Sequence, residues 1–256
     1  QSAQLTTQAN VAAVQIGNTV IGYSCASGTV DVVASAVGIT DVDVQQELLT
    51  VADANGDLYG FGVLAGSFTP PQTGGFSVFA NTGAALAQSF VDGTWRAFSC
   101  LTNSWVTEPS GSTTGVFYVN YNGAVLVEAS GTMHGFSANR GSWSTQVAPP
   151  GDVYAQHKAA FCARAGNRLD AFNGRTGRWA TVFTAQPAMP SCFDMSVIAG
   201  DGQHLYAFSC YDENWSSTPC VAVQKQLRDE YAYAFDGSPV HAWSGSCQVA
   251  EWANMP

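Results

Sequence analysis

Short runs of alternating hydrophobic and polar residues fill the chain, and one run returns at intervals of 35–38 residues. It begins with a small residue and an aromatic one, passes through a polar turn, and reaches a second large residue seven positions after the aromatic. The first aromatic of each copy is Tyr23, Phe61, Phe98, Phe136, Phe172, Phe208 or Trp243. The residue before it is Gly22, Gly60, Ala97, Gly135, Ala171, Ala207 or Ala242. The large residue that follows is Val30, Phe68, Trp105, Trp143, Trp179 or Trp215 in the first six copies, whereas the seventh has Ala250 there and Trp252 two positions later. Seven copies account for the whole chain.

Each copy divides into four short strands. In the fifth copy they are expected near residues 152–157, 159–164, 168–173 and 178–183, separated by glycine-containing or polar turns. Four strands at this period are typical of a propeller blade. The sequence therefore predicts an all-β fold, a seven-bladed β-propeller of short four-stranded blades that forms a single domain over residues 1–256, with almost no helix.

Strand alternation also assigns the repeated residues to faces. The small residue and the serine that often follows the aromatic share one face, while the aromatic points to the other. We expect the small face to let neighbouring blades approach, and the aromatic and its Trp partner to fill the layer between them. These residues are then architectural, and function falls to the positions that vary.

The stretch LDAFNGRTGRWATVF followed by AQPAMPS, residues 169–183 and 185–191, resembles the kelch repeat, and LYAFSCYDENWSSTP is similar to it. The order Ala, aromatic, Thr-Gly turn and Trp also resembles the PQQ-type propeller repeat. The kelch Gly-Gly doublet is absent, and the Trp lies closer to the Thr-Gly turn than in the PQQ repeat. Both resemblances imply a propeller fold and transfer no function, because propellers carry many unrelated activities.

Composition narrows the classes of partner. Only 11% of the 256 residues are charged, the net charge is −10, and no run of Lys or Arg occurs. Such a surface disfavours nucleic acid and anionic membranes as partners, and no stretch of apolar residues is long enough to span a membrane. A chain that starts QSAQLTTQ, with the glycosylation sequon Asn214-Trp215-Ser216, is interpreted as a mature secreted product, extracellular or periplasmic. We expect it to be a monomer.

The strands that follow the links between copies are expected to be innermost and to line the central channel. They lie near residues 3–9, 40–46, 76–81, 115–121, 152–158, 191–196 and 221–226. Their polar and aromatic side chains are Asp41, Asp43, Tyr118, Asn120, Tyr154, His157, Lys158, Asp194 and Lys225. This set favours one site at the channel mouth for a glycan or a small polar-aromatic molecule. Asp43, Tyr118, Asn120 and Lys158 are the predicted ligand-binding residues.

Two alternatives remain open. The first is a propeller enzyme, a lyase, hydrolase or cyclase, that uses the same funnel. His157 and Asp194 of the next copy would then form a general-base pair, with Tyr154 and Lys225 as further catalytic candidates. The second is a protein-interaction scaffold, against which the lack of insertions between copies counts. The residue two before each aromatic varies from copy to copy, which favours one unique site over seven equivalent ones.

No metal ion and no cofactor is predicted. The four histidines stand in different copies, and neither a CxxC nor an HExxH spacing occurs. Seven cysteines favour an oxidising compartment. We expect a Cys25–Cys247 disulfide to clamp the ring where its ends meet, and Cys162–Cys192 and Cys210–Cys220 are the other candidate pairs.

Overall fold

The chain forms seven four-stranded antiparallel sheets, one from each sequence repeat. The computed structural model describes residues 3–221, 224–228, 231–235, 240–244 and 251–255. Over these ranges the backbone contains strands and turns and no helix, so no described segment is a helix of the length and apolarity needed to cross a membrane. In every sheet the strands follow one another in chain order. The predicted all-β, seven-bladed propeller with four-stranded blades is confirmed, and the sheets are called blades one to seven below.

The blades are distributed over two compact units. The first comprises Gln1–Leu126 with Phe136–Trp143, and the second comprises Val127–Gly135 with Ser144–Pro256. Blade four has residues in both. That all seven blades form one domain stays a prediction.

The first unit holds blades one to three. Blade one consists of β1 (Gln4–Gln8), β2 (Val11–Ile16), β3 (Thr19–Ser24) and β4 (Val30–Ala34). Blade two consists of β5 (Ile39–Val44), β6 (Leu48–Asp53), β7 (Leu58–Gly62) and β8 (Ser67–Phe68). Blade three consists of β9 (Phe76–Asn81), β10 (Ala84–Ser89), β11 (Trp95–Ser99) and β12 (Ser104–Thr107). Blade four consists of β13 (Val116–Asn120), β14 (Gly123–Val127), β15 (Met133–Ser137) and β16 (Ser142–Gln146).

The second unit holds blades five to seven. Blade five consists of β17 (Val153–His157), β18 (Ala160–Ala165), β19 (Arg168–Asn173) and β20 (Arg178–Phe183). Blade six consists of β21 (Met189–Phe193), β22 (Ser196–Gly200), β23 (His204–Ser209) and β24 (Trp215–Pro219). Blade seven consists of β25 (Gln224–Arg228), β26 (Tyr231–Phe235), β27 (Val240–Ser244) and β28 (Glu251–Met255). The strands predicted for blade five agree with these bounds to within one residue. In blade six the first strand ends at Phe193, so Asp194 lies in the following turn and not in the predicted strand.

In the repeats that have glycine before the aromatic, this glycine leaves room for the aromatic ring of the following repeat. A Cβ built on Gly60 would lie 2.6 Å from Cε2 of Phe98, and one on Gly22 would lie 3.0 Å from the ring of Phe61. The distance at Gly60 is too short for a side chain, so close approach requires glycine there, whereas a Cβ on Gly22 would need the Phe61 ring to move by a few tenths of an ångström. The aromatic then packs on the large residue of its own blade, with ring centroids 5.1 Å apart for Phe98 and Trp105. The predicted architectural role of these residues is confirmed.

A polar residue directly after the repeat aromatic ties blades one, three and five to the next blade in the chain. The hydroxyl of Ser24 donates to the carbonyl of Val63, and that of Ser99 donates to the carbonyl of Ala138. In blade five Asn173 takes the place of the serine, and its amide donates to the carbonyl of Cys210 over 2.7 Å. Each bond satisfies a buried carbonyl that the strand ladder leaves without a partner, which a buried backbone group requires.

Indole groups make a second kind of link near the outer strands. Trp143 Nε1 donates to the carbonyl of Val106 over 3.0 Å, and Trp215 Nε1 donates to the carbonyl of Ala180 over 3.1 Å. In both cases the acceptor is the residue after the Trp of the preceding blade. Trp143 and Trp215 are therefore both hydrophobic fillers and directional donors, whereas the buried Nε1 groups of Trp105 and Trp179 have no acceptor among the described residues.

Three free thiols, two of them buried, correct part of the predicted cysteine chemistry. Cys162 and Cys210 belong to one core cluster and Cys192 packs against it, yet all three hold free thiols. The candidate pairs Cys162–Cys192 and Cys210–Cys220 are therefore wrong. Cys25 is exposed and also holds a free thiol, which contradicts the predicted clamp; Cys247, its predicted partner, lies outside the described residues.

Candidate functional site

Two equivalent turns in blades five and six bring the predicted pair His157 and Asp194 together. His157 is the last residue of β17, and Asp194 follows the last residue of β21. Each turn leads from a first strand to a second strand, and the turns are bonded to each other because Ala159 N donates to the carbonyl of Asp194 over 3.0 Å. The sequence prediction that adjacent copies place these side chains side by side is met by the structure.

Both turns contain a residue in the left-handed region. Lys158 has φ = 35° and Asp194 has φ = 43°. A tight turn between antiparallel strands requires positive φ, and glycine, asparagine or aspartate adopt it with least strain. Lys158 is a costly choice for this conformation. Strained non-glycine residues of this kind cluster at functional sites.

The carboxylate of Asp194 lies beneath two exposed cationic or ionisable groups. Its Oδ1 is 2.8 Å from Lys158 Nζ and 3.0 Å from His157 Nδ1. The Asp194 side chain is 12% exposed, whereas those of Lys158 and His157 are 49% and 42% exposed. The buried acid therefore holds two donors that face solvent, and it compensates the lysine charge locally.

An aromatic ring completes the cluster. The imidazole of His157 stacks on the phenyl ring of Phe193, with centroids 5.0 Å apart and an angle of 8° between the planes. Phe193 covers one face of the imidazole and fixes its orientation. We call His157, Lys158, Phe193 and Asp194 the turn cluster.

Two groups of Asp194 face the same nitrogen of His157, and they require opposite tautomers. The backbone N–H of Asp194 donates to Nδ1 over 2.8 Å, which places the proton of a neutral ring on Nε2. A hydrogen bond from Nδ1 to the carboxylate would instead leave Nε2 as an acceptor. One ring nitrogen cannot donate and accept in the same plane at once. The tautomer therefore decides whether the exposed edge of His157 donates or accepts.

The structure separates Tyr154 from the turn cluster. Tyr154 precedes His157 by three residues on β17, so the two side chains leave opposite faces of the strand. Its hydroxyl donates to the carbonyl of Gly151 over 3.2 Å, and its ring stacks on Phe161 at 6.2 Å. Tyr154 thus belongs to the aromatic layer of blade five. Lys225 lies on β25, and its side chain is outside the described residues.

The other predicted ligand-binding residues lie on β5 and β13. Asp43 is half-buried and accepts a hydrogen bond from Gln45 Nε2 over 3.0 Å. Burial raises its pKa, and although the Gln45 bond lowers it, the nearby charge of Asp41 adds to the rise. Tyr118 is half-buried, and Asn120 is 4% exposed with a buried Oδ1 that accepts no hydrogen bond from a described residue. Of the predicted set, the turn cluster contains only Lys158, His157 and Asp194.

A buried polar network in the second unit was missed by sequence reasoning. Asp170 is 1% exposed and accepts bonds from Thr181 (2.6 Å), Gln146 (2.7 Å) and Arg168 (2.9 Å). The equivalent His134, 2% exposed, contacts Thr145 at 3.2 Å and Glu128 at 3.0 Å. The repeated threonine two residues after each Trp is thus the cross-strand partner of the residue two before each aromatic. That spacing was visible in the sequence as a signal for the pair.

In the described part of the chain, no three His, Cys, Asp or Glu side chains are arranged to hold a metal ion.

No protein-family model and no curated protein matches the chain. The structure is similar to a computationally designed protein, Ika8, with a TM-score of 0.33 and 10% identity over 98% of this chain and 85% of that one. It is similar to PorZ of Porphyromonas gingivalis, a bacterial surface component of the type-IX secretion system, with a TM-score of 0.35 and 8% identity over 98% of this chain and 38% of that one. It is also similar to BamB from Moraxella catarrhalis, with a TM-score of 0.29 and 16% identity over 95% of this chain and 84% of that one. Likenesses this distant assign neither a family nor a function, and the fold follows from the chain's own repeats and sheets.

Proposed function

We propose that the protein binds one small ligand, a glycan or a polar-aromatic molecule, at the turn cluster. The observation that carries the proposal is the convergence of Lys158 and His157, both exposed, on the buried carboxylate of Asp194. A buried acid that fixes two solvent-facing donors is a preorganised recognition element, because little side-chain freedom is lost when a ligand binds. The strained backbone at Lys158 supports the same interpretation.

The hydrogen bond from Asp194 N–H favours binding over catalysis. If Nδ1 accepts this bond, neutral His157 presents Nε2–H to the ligand, so both exposed groups of the cluster donate. Two donors fit a ligand rich in acceptor oxygens, such as the hydroxyl and ring oxygens of a glycan. We place the protein outside the cell or in the periplasm, acting as a monomer without nucleic acid or membrane partners. Its 11% charged residues and the exposed Asn214 of the sequon support this location.

A glycan array tests the proposal. Wild-type protein, Lys158→Ala and His157→Ala are compared with Arg140→Ala, which removes an exposed positive charge from a turn outside the cluster. We expect a restricted set of glycans to bind, the binding to fall at least tenfold in both cluster variants, and the control to behave as wild type. Loss of no more than twofold in both cluster variants would place the ligand elsewhere.

One observation supports a second candidate function, that of an enzyme: a lyase, hydrolase or cyclase. Asp194 Oδ1 lies 3.0 Å from His157 Nδ1, the distance at which a carboxylate orients a general-base histidine. Nitrogen-15 NMR of labelled histidine discriminates the two functions. A non-protonated Nδ1 in neutral His157 supports binding, and a protonated Nδ1 with a bare Nε2 supports a general base. Mass analysis of the array hits after incubation gives the second readout, since a binding protein returns them unchanged.

A further inference from the structure

Blades one to three form a second surface with two open clefts. Two clefts flank the beginning of β5 and share Thr40 and Asp41 in their walls. The first cleft, of about 200 Å³, lies between blades one and two, and the second, of about 440 Å³, lies between blades two and three. Together we call them the blade-two groove. The second cleft has a volume in the range of small-ligand pockets, about 300–1,000 Å³, and the first is smaller.

A β-bulge creates the wall that the two clefts share. The register of β5 against β6 shifts between Ile39 and Asp41, so Thr40 is an extra residue in the ladder. The hydroxyl of Thr40 donates to the carbonyls of Ala52 and Asp53, each over 3.1 Å. By contrast, the pairs β1–β2, β9–β10, β17–β18, β21–β22 and β25–β26 run without a shift. Bulges bend a strand and redirect its side chains next to functional sites, and here Thr40 and Asp41 are both exposed.

The first cleft is lined by hydroxyl, amide and carboxylate groups. Gln4 pairs directly with Gln15 across β1 and β2, and Thr6 lies on the same face of β1 as Gln4. Asp41 supplies the acid on the opposite wall. Neither cleft has a basic side chain among its lining residues. An anionic ligand would therefore find no counter-charge, whereas a neutral ligand with many hydroxyls finds both donors and acceptors.

The second cleft adds an aromatic surface on a fixed backbone. Phe90 is 74% exposed, yet its backbone N–H donates to the carbonyl of Gly75 over 2.8 Å. A Cβ built on Gly56 would lie 2.5 Å from the Cα of Gly75, so the turn of blade two abuts the start of blade three. Burying this phenyl ring against its own protein would have been favourable. An exposed ring held in place beside a polar cleft is suited to stack on the apolar face of a sugar.

We propose that the blade-two groove binds a neutral oligosaccharide, with Asp41, Gln15 and Thr6 bonding to hydroxyl groups and Phe90 stacking on one sugar face. The groove lies where β5 begins, whereas the turn cluster lies where the first strands of blades five and six end. The groove is therefore not a repeat of the turn cluster. It does not depend on the function proposed for that cluster. The two sites also differ in chemistry, because the turn cluster offers cationic donors and the groove offers a carboxylate.

Titration with neutral oligosaccharides tests the proposal. The probes are maltohexaose, cellohexaose, laminarihexaose, xylohexaose, mannohexaose and chitohexaose, each followed by calorimetry and by NMR of the labelled protein. We expect at least one to bind, and Phe90→Ala and Asp41→Asn each to weaken it at least tenfold. Val91→Ala is the matched control, because Val91 is 79% exposed, neighbours Phe90 and lines neither cleft. It should leave the affinity unchanged.

His157→Ala separates this proposal from the function proposed for the turn cluster. Binding of the oligosaccharide should be unchanged in this variant if the groove holds it. Binding lost in His157→Ala and retained in Phe90→Ala and Asp41→Asn would overturn the groove while supporting the turn cluster. The groove is also overturned if none of the six probes binds at millimolar concentration. All variants change exposed side chains, and a melting temperature within 2 °C of wild type, checked for each, corresponds to a loss of under about 1 kcal/mol.

Discussion

The phenyl ring of Phe172 occupies the space in which a side chain on Gly135 would begin. A Cβ built there would lie 2.7 Å from both Cδ2 and Cζ of Phe172, and the ring itself is fully buried. The glycine of β15 and the aromatic of β19 are therefore two halves of one contact. This relationship explains the small residue before the aromatic in blade four, and the same contact is made by Gly22 and Gly60 in blades one and two.

Gly135→Ala should lower the free energy of unfolding by about 1–3 kcal/mol, the usual cost of an overpacked core. Gly200→Ala is the control, because a Cβ there would meet the end of the flexible Leu205 side chain at 3.3 Å and the carbonyl oxygen of His204 at 3.9 Å, an ordinary contact distance. It should be neutral or slightly stabilising. Chemical denaturation of both variants measures the difference. Equal stability of the two would show that the ring and the glycine are not coupled.

Ser99→Ala should destabilise the protein by about 1–3 kcal/mol, because it leaves buried groups without hydrogen bonds. The Ser99 hydroxyl donates to Ala138 O and accepts from Thr102 N over 3.0 Å. Ser130→Ala removes an exposed hydroxyl and should change the stability by less than about 0.5 kcal/mol. A similar loss in both variants would argue against a role of the serine in linking blades.

Asp170→Ala should cost more than Thr181→Ala. The first change leaves the guanidinium of Arg168, 2.8 Å from Asp170 Oδ2, without its buried counter-charge, and removal of one partner of such a pair costs about 3–5 kcal/mol when both are desolvated. Arg168 is 21% exposed, so the loss should fall at the low end. Thr181→Ala removes one hydrogen bond, worth about 1 kcal/mol. Urea denaturation at neutral pH gives both values, and a larger loss in Thr181→Ala would contradict the network.

Asp43→Asn should stabilise the protein at pH 7 and have no effect at pH 3. Burial holds the pKa of Asp43 above its ordinary value in the folded chain. The penalty for the ionised form is present above the raised pKa, and it disappears as the pH falls through that pKa towards the value of the unfolded chain. The asparagine keeps an acceptor for Gln45. Unfolding measured from pH 3 to pH 8 tests this, and stabilisation that persists at pH 3 would assign the effect to packing.

Native-state alkylation should spare Cys100, Cys162 and Cys210. Burial raises the pKa of the Cys100 thiol to about 12, and the neighbouring Glu47 adds to the rise. Burial also raises the pKa values of Cys162 and Cys210, and the thiolate is the reactive form. Mass mapping after iodoacetamide treatment at pH 8 checks this. The exposed free thiol of Cys25 should be alkylated in the same map and gives the positive control.

The repeats of the sequence predicted the blades because the spacing of Phe172 and Trp179 is set by one hairpin and repeats in each copy. The neighbourhood of His157 and Asp194 was predictable for the same reason, since both lie where the first strands of successive blades end. The separation of Tyr154 from His157 also follows from strand alternation, although the sequence reasoning grouped them. The blade-two groove could not be predicted, because the bulge at Thr40 and the exposure of Phe90 depend on how β5 meets the blades on either side.

The glycines at the blade contacts also set an order of events during synthesis. Gly60 belongs to blade two, but the ring that covers it, Phe98, belongs to blade three and emerges from the ribosome 38 residues later. At typical elongation rates that interval is about 2–8 s. Blades one, two and four, whose small residues are Gly22, Gly60 and Gly135, therefore each wait with an uncovered glycine until the next blade is made, so their consolidation lags one repeat behind translation.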